Sequence, residues 1–258
     1  MTSVWEKEDD MSAVQFNFKR YEKKYVLTPE QYEQFFSLLQ QYMRVDQYGV
    51  HTICNIYYDT DHYDLIRRSI EKPVYKEKFR LRSYGVPDHA DNIFAEIKKK
   101  YKGVVYKSRI TAAWDSIQQM ITEGCILPVS PQIQAEMQCL FRRYPLVPKV
   151  YLAYERIAME EYQDMGTGLR ITFDRNIRWR KDNLDLCAGD EGWPVLPEER
   201  IIMEVKTPMA VPLWMVSLLS RCGIYPGSFS KYGTCYLRYI AAHEFARKNM
   251  LIERTNKC

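Results

Sequence analysis

The chain is poor in the residues that carry most zinc and redox chemistry. It has four histidines, and its seven cysteines (Cys54, Cys125, Cys139, Cys187, Cys222, Cys235 and Cys258) are odd in number, widely spaced and free of any Cys-x-x-Cys pair. This spacing argues against a zinc site or a disulfide framework, and reduced thiols in a cytoplasmic protein are expected. No apolar run approaches the roughly 18 residues of a membrane span. The opening residues MTSVWEKEDDMSAV lack the apolar stretch of a signal peptide. A soluble chain without direct membrane insertion is therefore expected. Charge of one sign is also scarce. A formal net charge of +4 cannot coat the surface in cations, so any site for a polyanion must gather them locally. No low-complexity tract or long linker divides the 258 residues, and we expect a loose segment over 1–15 followed by one domain over 16–258.

What is present is a recurring charge pattern on strand-like segments. Glu22 and Lys24 occur in RYEKKYVL, Glu96 and Lys98 in FAEIKKK, and Glu204 and Lys206 in IIMEVKT. Strand side chains alternate between two faces, so each pair projects to one side, with Tyr21, Ile97 and Val205 on the other. Lys78, Arg80 and Arg82 likewise share a face in KEKFRLRSYG, opposite Phe79 and Leu81, and Arg170 opposes Leu169 and Ile171 in LRITFDR. A sheet with one charged and one apolar face follows.

The remaining elements can be placed by capping and periodicity. Thr28, Pro29 and Gln31 give an N-cap, a proline in the first turn and a capping-box partner for a helix carrying Tyr32, Phe35, Leu39 and Tyr42. HTICNIYYDT reads as a strand, Asp61 as the cap of a short helix through Arg68, and 74–84 and 92–101 as paired strands, with VVYKSRI following. TAAWDSIQQMITEG and PQIQAEMQCLFRRY read as helices, KVYLAYERIAMEEY, GLRITFDRNIRWR and RIIMEVKT as strands, and LWMVSLLSRCG as a short apolar helix. YPGSFSKYG reads as a loop and TCYLRYIAAHEFARKN as a closing helix. The charge run Arg178, Arg180 and Lys181 reads as exposed surface. The fold class expected is α+β, an antiparallel eight-stranded barrel or tunnel with its helices packed outside.

If helices cover the apolar face, the charged face is left to line a concave interior. Such an interior cannot be dry, because burying an unpaired cation costs several kcal/mol, and about nine of them would exceed a domain's whole stability of about 5–15 kcal/mol. It must hold water and an anion. A phosphate chain, with several charges along a line, suits it well. Carboxylates among those cations make poor anion ligands but reasonable ligands for Mg²⁺ or Mn²⁺.

In these features the chain resembles the triphosphate tunnel metalloenzymes, and within them the polyphosphate polymerase domain of the vacuolar transporter chaperone (VTC) type. The motifs are RYEKKYVL, YYDTDHYDLIRRSI with KFRLRSYG, EIKKKYKGVVYKSR, YERIA, LRITFDR, MEVKT and SFSKYG, in that order over residues 16–240. One departure stands out. The hydrolase branch has ExExK in its first strand, whereas this chain has Arg20, Glu22 and Lys24, as is similar to the polymerase branch. The resemblance implies an antiparallel tunnel in which Arg80, Arg82, Lys98, Arg156, Arg170 and Lys206 act on the transferring phosphates. Arg20, Lys24, Lys107 and Lys231 would bind substrate, with Lys100 and Ser230 as further contacts and Arg109 as a weaker one. Glu204 would be the principal metal ligand, supported by Glu96 and Glu22.

The implied reaction is transfer of the γ-phosphoryl group of ATP to a growing polyphosphate, with Mn²⁺ or Mg²⁺. Rival readings are a tunnel triphosphatase or tripolyphosphatase and a non-catalytic polyphosphate-binding module. The acceptor is itself an anion, so no strong base is needed, in keeping with histidines (His51, His62, His89, His243) that read as lying off the charged faces. ATP and polyphosphate are the expected partners. Nucleic acid is not, because the cations face inward, and export of product would fall to a separate membrane partner.

Overall fold

The computed structural model describes residues 21–102, 104–162 and 166–242. Arg20, the beginning of the first expected strand and His243 lie outside them. Among the described residues nine strands form one antiparallel sheet: β1 (Tyr21–Leu27), β2 (Met43–Asp59), β3 (Tyr75–Tyr84), β4 (Asn92–Tyr101), β5 (Val104–Ala113), β6 (Val147–Glu161), β7 (Arg170–Arg180), β8 (Trp193–Pro194) and β9 (Ile201–Thr207). Eight of them run in the order β1-β9-β7-β6-β2-β3-β4-β5, and two-residue β8 adds to β7. The sheet curls on itself: Lys98 of β4 reaches Glu22 of β1 at 3.9 Å, although the two strands stand far apart in the hydrogen-bonded order. This is the expected α+β tunnel architecture.

Among the described residues four helices cover the convex face. α1 (Pro29–Leu39) starts with the expected capping box, in which Thr28 Oγ1 accepts from the Gln31 backbone at 3.2 Å and Gln31 Oε1 accepts from the Thr28 backbone at 3.1 Å. Its Phe35 and Leu39 pack with Tyr25, Phe173 and Met203 and with Met215 of a later helix. α3 (Trp114–Glu123) ends at Gly124 in the left-handed region at φ 72°, and α4 (Pro131–Arg143) begins after Ser130. Together they bury Ile117, Met120, Met137 and Leu140 against Phe79, Leu81 and Ile97, the apolar alternates of β3 and β4. α5 (Leu213–Arg221) joins α1.

Two elements pack on the concave face, a departure from helices lying only outside. α2 (Asp64–Ile70) and α6 (Lys231–Cys235), which continues into a π-helical turn (Tyr236–Ala241), bring Ile66, Tyr232, Cys235, Tyr236 and Ile240 against Ile53, Val150, Leu152 and Trp179. Central strands β2 and β6 are therefore apolar on both faces, and ICNIYY loses the alternation that would reveal a single buried side. Truncating one of these side chains, Leu152→Ala for example, would cost about 2–5 kcal/mol.

Local chemistry corrects two boundaries. Asp61 does not cap α2; its side chain is 82% exposed beside Lys149. Fully buried Asp59 does that work, its carboxylate accepting from the backbone N–H groups of Thr60, Leu65 and Ile66 at 2.8–3.0 Å and from the Tyr232 hydroxyl at 3.1 Å. SFSKYG is not all loop either. Ser230 is the N-cap of α6, its Oγ accepting from Gly233 N at 3.1 Å, and Lys231 is the first helical residue.

Candidate functional site

The concave face gathers charge from β1, β3, β4, β5, β6, β7, β9 and α6. Register explains how: Arg80 sits across from Glu96, Glu96 from Arg109, Lys98 from both Lys78 and Lys107, and Lys24 from Glu204. Paired residues on neighbouring strands share a face, so period-two spacing on each strand becomes a continuous charged surface.

Glu96 is the hub of the first cluster. Its side chain is 1% exposed and is held by Arg80 at 2.7 and 2.9 Å, by Arg109 at 2.5 and 2.8 Å and by Lys107 at 2.7 Å, with Arg82 at 4.0 Å. Burial works to raise its pKa, and the Arg80, Arg82 and Lys107 charges outweigh it, holding the carboxyl far below the usual range. Arg80 also donates to the Tyr57 hydroxyl at 3.0 Å, and Arg82 to Asn55 Oδ1 at 3.0 Å and the Tyr154 hydroxyl at 3.2 Å. Burial would raise both phenols, but Arg80 acting on Tyr57 and Arg82 on Tyr154 draw their pKa values down.

A second cluster joins β6, β7 and α6. Arg156 grips fully buried Asp174 with a bidentate fork at 2.6 and 2.7 Å, and Lys231 pairs with the same carboxylate while lying 4.4 Å from the Tyr154 ring centre. The third, between β1 and β9, is looser. Lys24 lies 2.8 Å from Glu204 and 3.6 Å from Glu22, and Lys206 lies 3.5 Å from Glu204. Burial opposes ionisation of Glu204, but Lys231, Lys24, Lys206 and Arg156 overcome it and set its pKa well below the usual value. Lys78 bridges to the second cluster through Ser230 Oγ at 3.4 Å. Desolvation pushes Lys78 and Lys107 down to about 8, in spite of the carboxylate beside Lys107.

These clusters bring together Lys24, Arg80, Arg82, Lys98, Lys107, Arg156, Lys206, Lys231 and Ser230 with Glu22, Glu96 and Glu204. Two expected residues stand apart. Arg170 is in register with Lys206 but gives its guanidinium to Asp46 at 3.4 Å and is 60% exposed, and Lys100 is exposed at the far end of β4 opposite Lys76. Asp174, Tyr57, Tyr154 and Asn55 were not anticipated. Asp174 could have been, since it continues the period-two face of Arg170. His51 corrects the expectation that histidines avoid this surface, because its register partner is Arg156.

Arg178 and Arg180 are not the idle exposed surface expected. Arg178 binds Asp190, and Arg180 donates to the carbonyls of Asn183, Asp185, Gly189 and Glu191 at 2.8–3.1 Å while lying 3.5 Å from the Tyr151 ring centre. They fasten the 181–192 loop.

Among the described residues this region holds ten cations (Lys24, Lys78, Arg80, Arg82, Lys98, Lys107, Arg109, Arg156, Lys206 and Lys231) and four carboxylates (Glu22, Glu96, Asp174 and Glu204), a surplus of six positive charges. No group of three or more acidic, histidine or cysteine side chains forms a ready metal cage among the described residues. No helix there is long and apolar enough to cross a membrane.

Comparison with known proteins bears on the fold and the family. Over 85% of the chain and 96% of its counterpart, the fold matches a crystal structure from Bacillus halodurans described as a candidate adenylate cyclase, with a TM-score of 0.52 at 13% identity. A Hippeastrum protein, the candidate adenylyl cyclase HpAC1 with a dominant triphosphatase activity, aligns over 83% of this chain and 93% of its own, with a TM-score of 0.48 at 15% identity. No curated protein matches the sequence. The VTC domain profile matches residues 19–240. That domain is one of the triphosphate tunnel folds, a phosphate-handling superfamily whose members are enzymes and typically depend on a divalent metal. The chain belongs to the VTC domain family.

Proposed function

We propose that this protein is an ATP-polyphosphate phosphotransferase, moving the γ-phosphoryl group of ATP onto the end of an inorganic polyphosphate chain. The observation that carries the proposal is the length of the cation track. Lys76, Lys78, Arg80 and Arg82 follow one face of β3, Lys76 donating to the Ser69 carbonyl at 3.1 Å, with Lys98 and Lys100 beside them on β4, and the six steps from Lys76 to Arg82 extend about 20 Å. A site for triphosphate alone would not need cations so far along the strand; a polymer would.

Arginine forks and lysines serve different steps. Phosphoryl transfer needs in-line alignment and neutralisation of charge on the transferring group. Arg80 and Arg82 are each oriented by a neutral oxygen as well as by Glu96, and Arg156 by Asp174, which fixes guanidinium planes suited to phosphate oxygens. Lys98, Lys206 and Lys231, with Lys24 and Lys107, would accommodate the chain, aided by Ser230; Arg170 and Lys100 would act at its two ends.

Glu204, with Glu22 beyond Lys24, would hold the metal. Two carboxylates in one corner suit Mg²⁺ or Mn²⁺, hard ions that take one or two protein carboxylates and complete their shell with water and phosphate. Bound there, such an ion would supply charge neutralisation at the phosphate oxygens. Glu96 would support it indirectly, by positioning four cations.

The test is the product. Purified protein given ATP and Mn²⁺ should release ADP and make a ladder of long polyphosphate on a gel, and ADP with orthophosphate but no polyphosphate would overturn the proposal in favour of hydrolysis.

A further inference from the structure

On β3 and β4 the cation row of the concave face gives way to aromatic rings. His51 on β2, Tyr84 at the end of β3 and Phe94 near the start of β4 all lie on this face by register, opposite Arg156, Ile53 and Arg82 respectively. Their rings form a line. His51 and Tyr84 have centroids 5.7 Å apart, Tyr84 and Phe94 5.6 Å, and Tyr48 adds a fourth ring 6.4 Å from His51. The Arg109 guanidinium lies 4.3 Å from the Phe94 centroid, so the line meets the Glu96 cluster directly. Farther along β2 from His51, Tyr57 stacks on Tyr232 of α6 with ring centroids 4.8 Å apart.

Two of these rings remain largely in solvent, Tyr48 at 68% and Tyr84 at 53% exposure. Exposed aromatics arranged edge to edge beside a cationic cleft match a ligand that is polyanionic at one end and flat and aromatic at the other. From Tyr84 to Arg80 is four strand residues, about 13 Å, a gap to be spanned by a ribose and the first phosphates.

We propose that this rim is a nucleobase platform, on which the base of the donor nucleoside triphosphate stacks against Tyr84 and Tyr48 while its phosphates run inward to Arg82, Arg80 and Arg156. The inference rests on the assignment of the cleft to a triphosphate. Stacking on these rings would distinguish a nucleotide from inorganic triphosphate and is tolerant of base identity, because every base has a π-face.

The experiment compares two probes, the β,γ-imido analogue of ATP and inorganic triphosphate, titrated calorimetrically without divalent metal. Tyr84→Ala should weaken the nucleotide analogue by about tenfold and leave inorganic triphosphate within about twofold. Tyr48→Ala should do the same to a smaller degree, and Tyr84→Phe should restore binding. If wild-type protein binds both probes and the alanine variants leave their ratio unchanged, the platform is overturned and the triphosphate assignment stands. If wild-type protein binds neither, the assignment itself fails and the platform with it.

Discussion

Glu96 and Glu204 occupy equivalent sequence patterns, each two residues before a lysine on the same face of one sheet, yet their surroundings differ in kind. Glu96 is clamped by the forks of Arg80 and Arg109, with Lys107 and Arg82 close by, and its side chain is 1% exposed. Glu204 is held by the point charges of Lys24 and Lys206, whose side chains are 27% and 32% exposed. An arginine fork fixes its carboxylate in direction as well as distance, whereas a lysine can swing away and rehydrate. Under the function proposed above, Glu204 would exchange a protein cation for a metal ion, which its lysines permit, and Glu96 would hold arginines still while phosphates pass, which its forks permit.

The largest effect that would break this contrast is on stability. Glu96→Gln leaves the cations around it without their shared counter-charge, and we expect a loss of about 3–5 kcal/mol, seen as a fall in Tm of about 10 °C. Glu204→Gln should lower Tm far less, because its lysines can reach water. Thermal unfolding of the two variants side by side checks this; equal losses would erase the distinction. For turnover, Glu204→Gln should reduce the rate by about 100-fold or more while binding of triphosphate without metal is retained or strengthened. Retained turnover would remove Glu204 from the reaction.

A pH titration sharpens the comparison with a smaller effect. Lys78 and Lys107 have folded-state pKa values of about 8, below the ordinary value of 10.5. Below pH 8 both are charged in folded and unfolded chains alike, and the desolvation penalty is fully present. Between about 8 and 10.5 the unfolded chain binds more protons than the native one, so these two groups make stability rise with pH. Anion binding should move oppositely, with triphosphate affinity falling as pH passes 8 because a bound anion needs both lysines charged. Affinity that stays flat from pH 7 to 9.5 would contradict it. The smallest effect should be that of Arg170→Ala, where an exposed pair with Asp46 contributes about 1 kcal/mol or less and turnover should drop only a few-fold.

Much of the cationic half of the concave face was legible in the sequence, because it needs only local rules. Alternation placed Lys78, Arg80 and Arg82 on one side of β3 and Glu96 with Lys98 on one side of β4, and the capping residues Thr28 and Gln31 announced α1. The other half was hidden. Ile53, Leu152 and Ile177 point inward, but β2 and β6 are apolar on their outer faces as well, so no period marks which residues meet α2 and α6. Asp59 was passed over for Asp61 because a cap acting across several residues of turn leaves no fixed spacing. Asp174 and Tyr154 acquire their roles only when β6, β7 and α6 converge, and Arg180 looks like surface charge until the loop it gathers is folded around it.

The most direct measurement is a crystal structure with the β,γ-imido analogue of ATP and Mn²⁺, with the metal located by anomalous scattering. We predict a manganese peak at Glu204 bridged to phosphate oxygens, phosphates against Arg80, Arg82 and Arg156, and Glu96 still clamped by its arginines. Manganese at Glu96, or a triphosphate lying outside the cleft, would contradict the division of labour between the two glutamates and the function built on it.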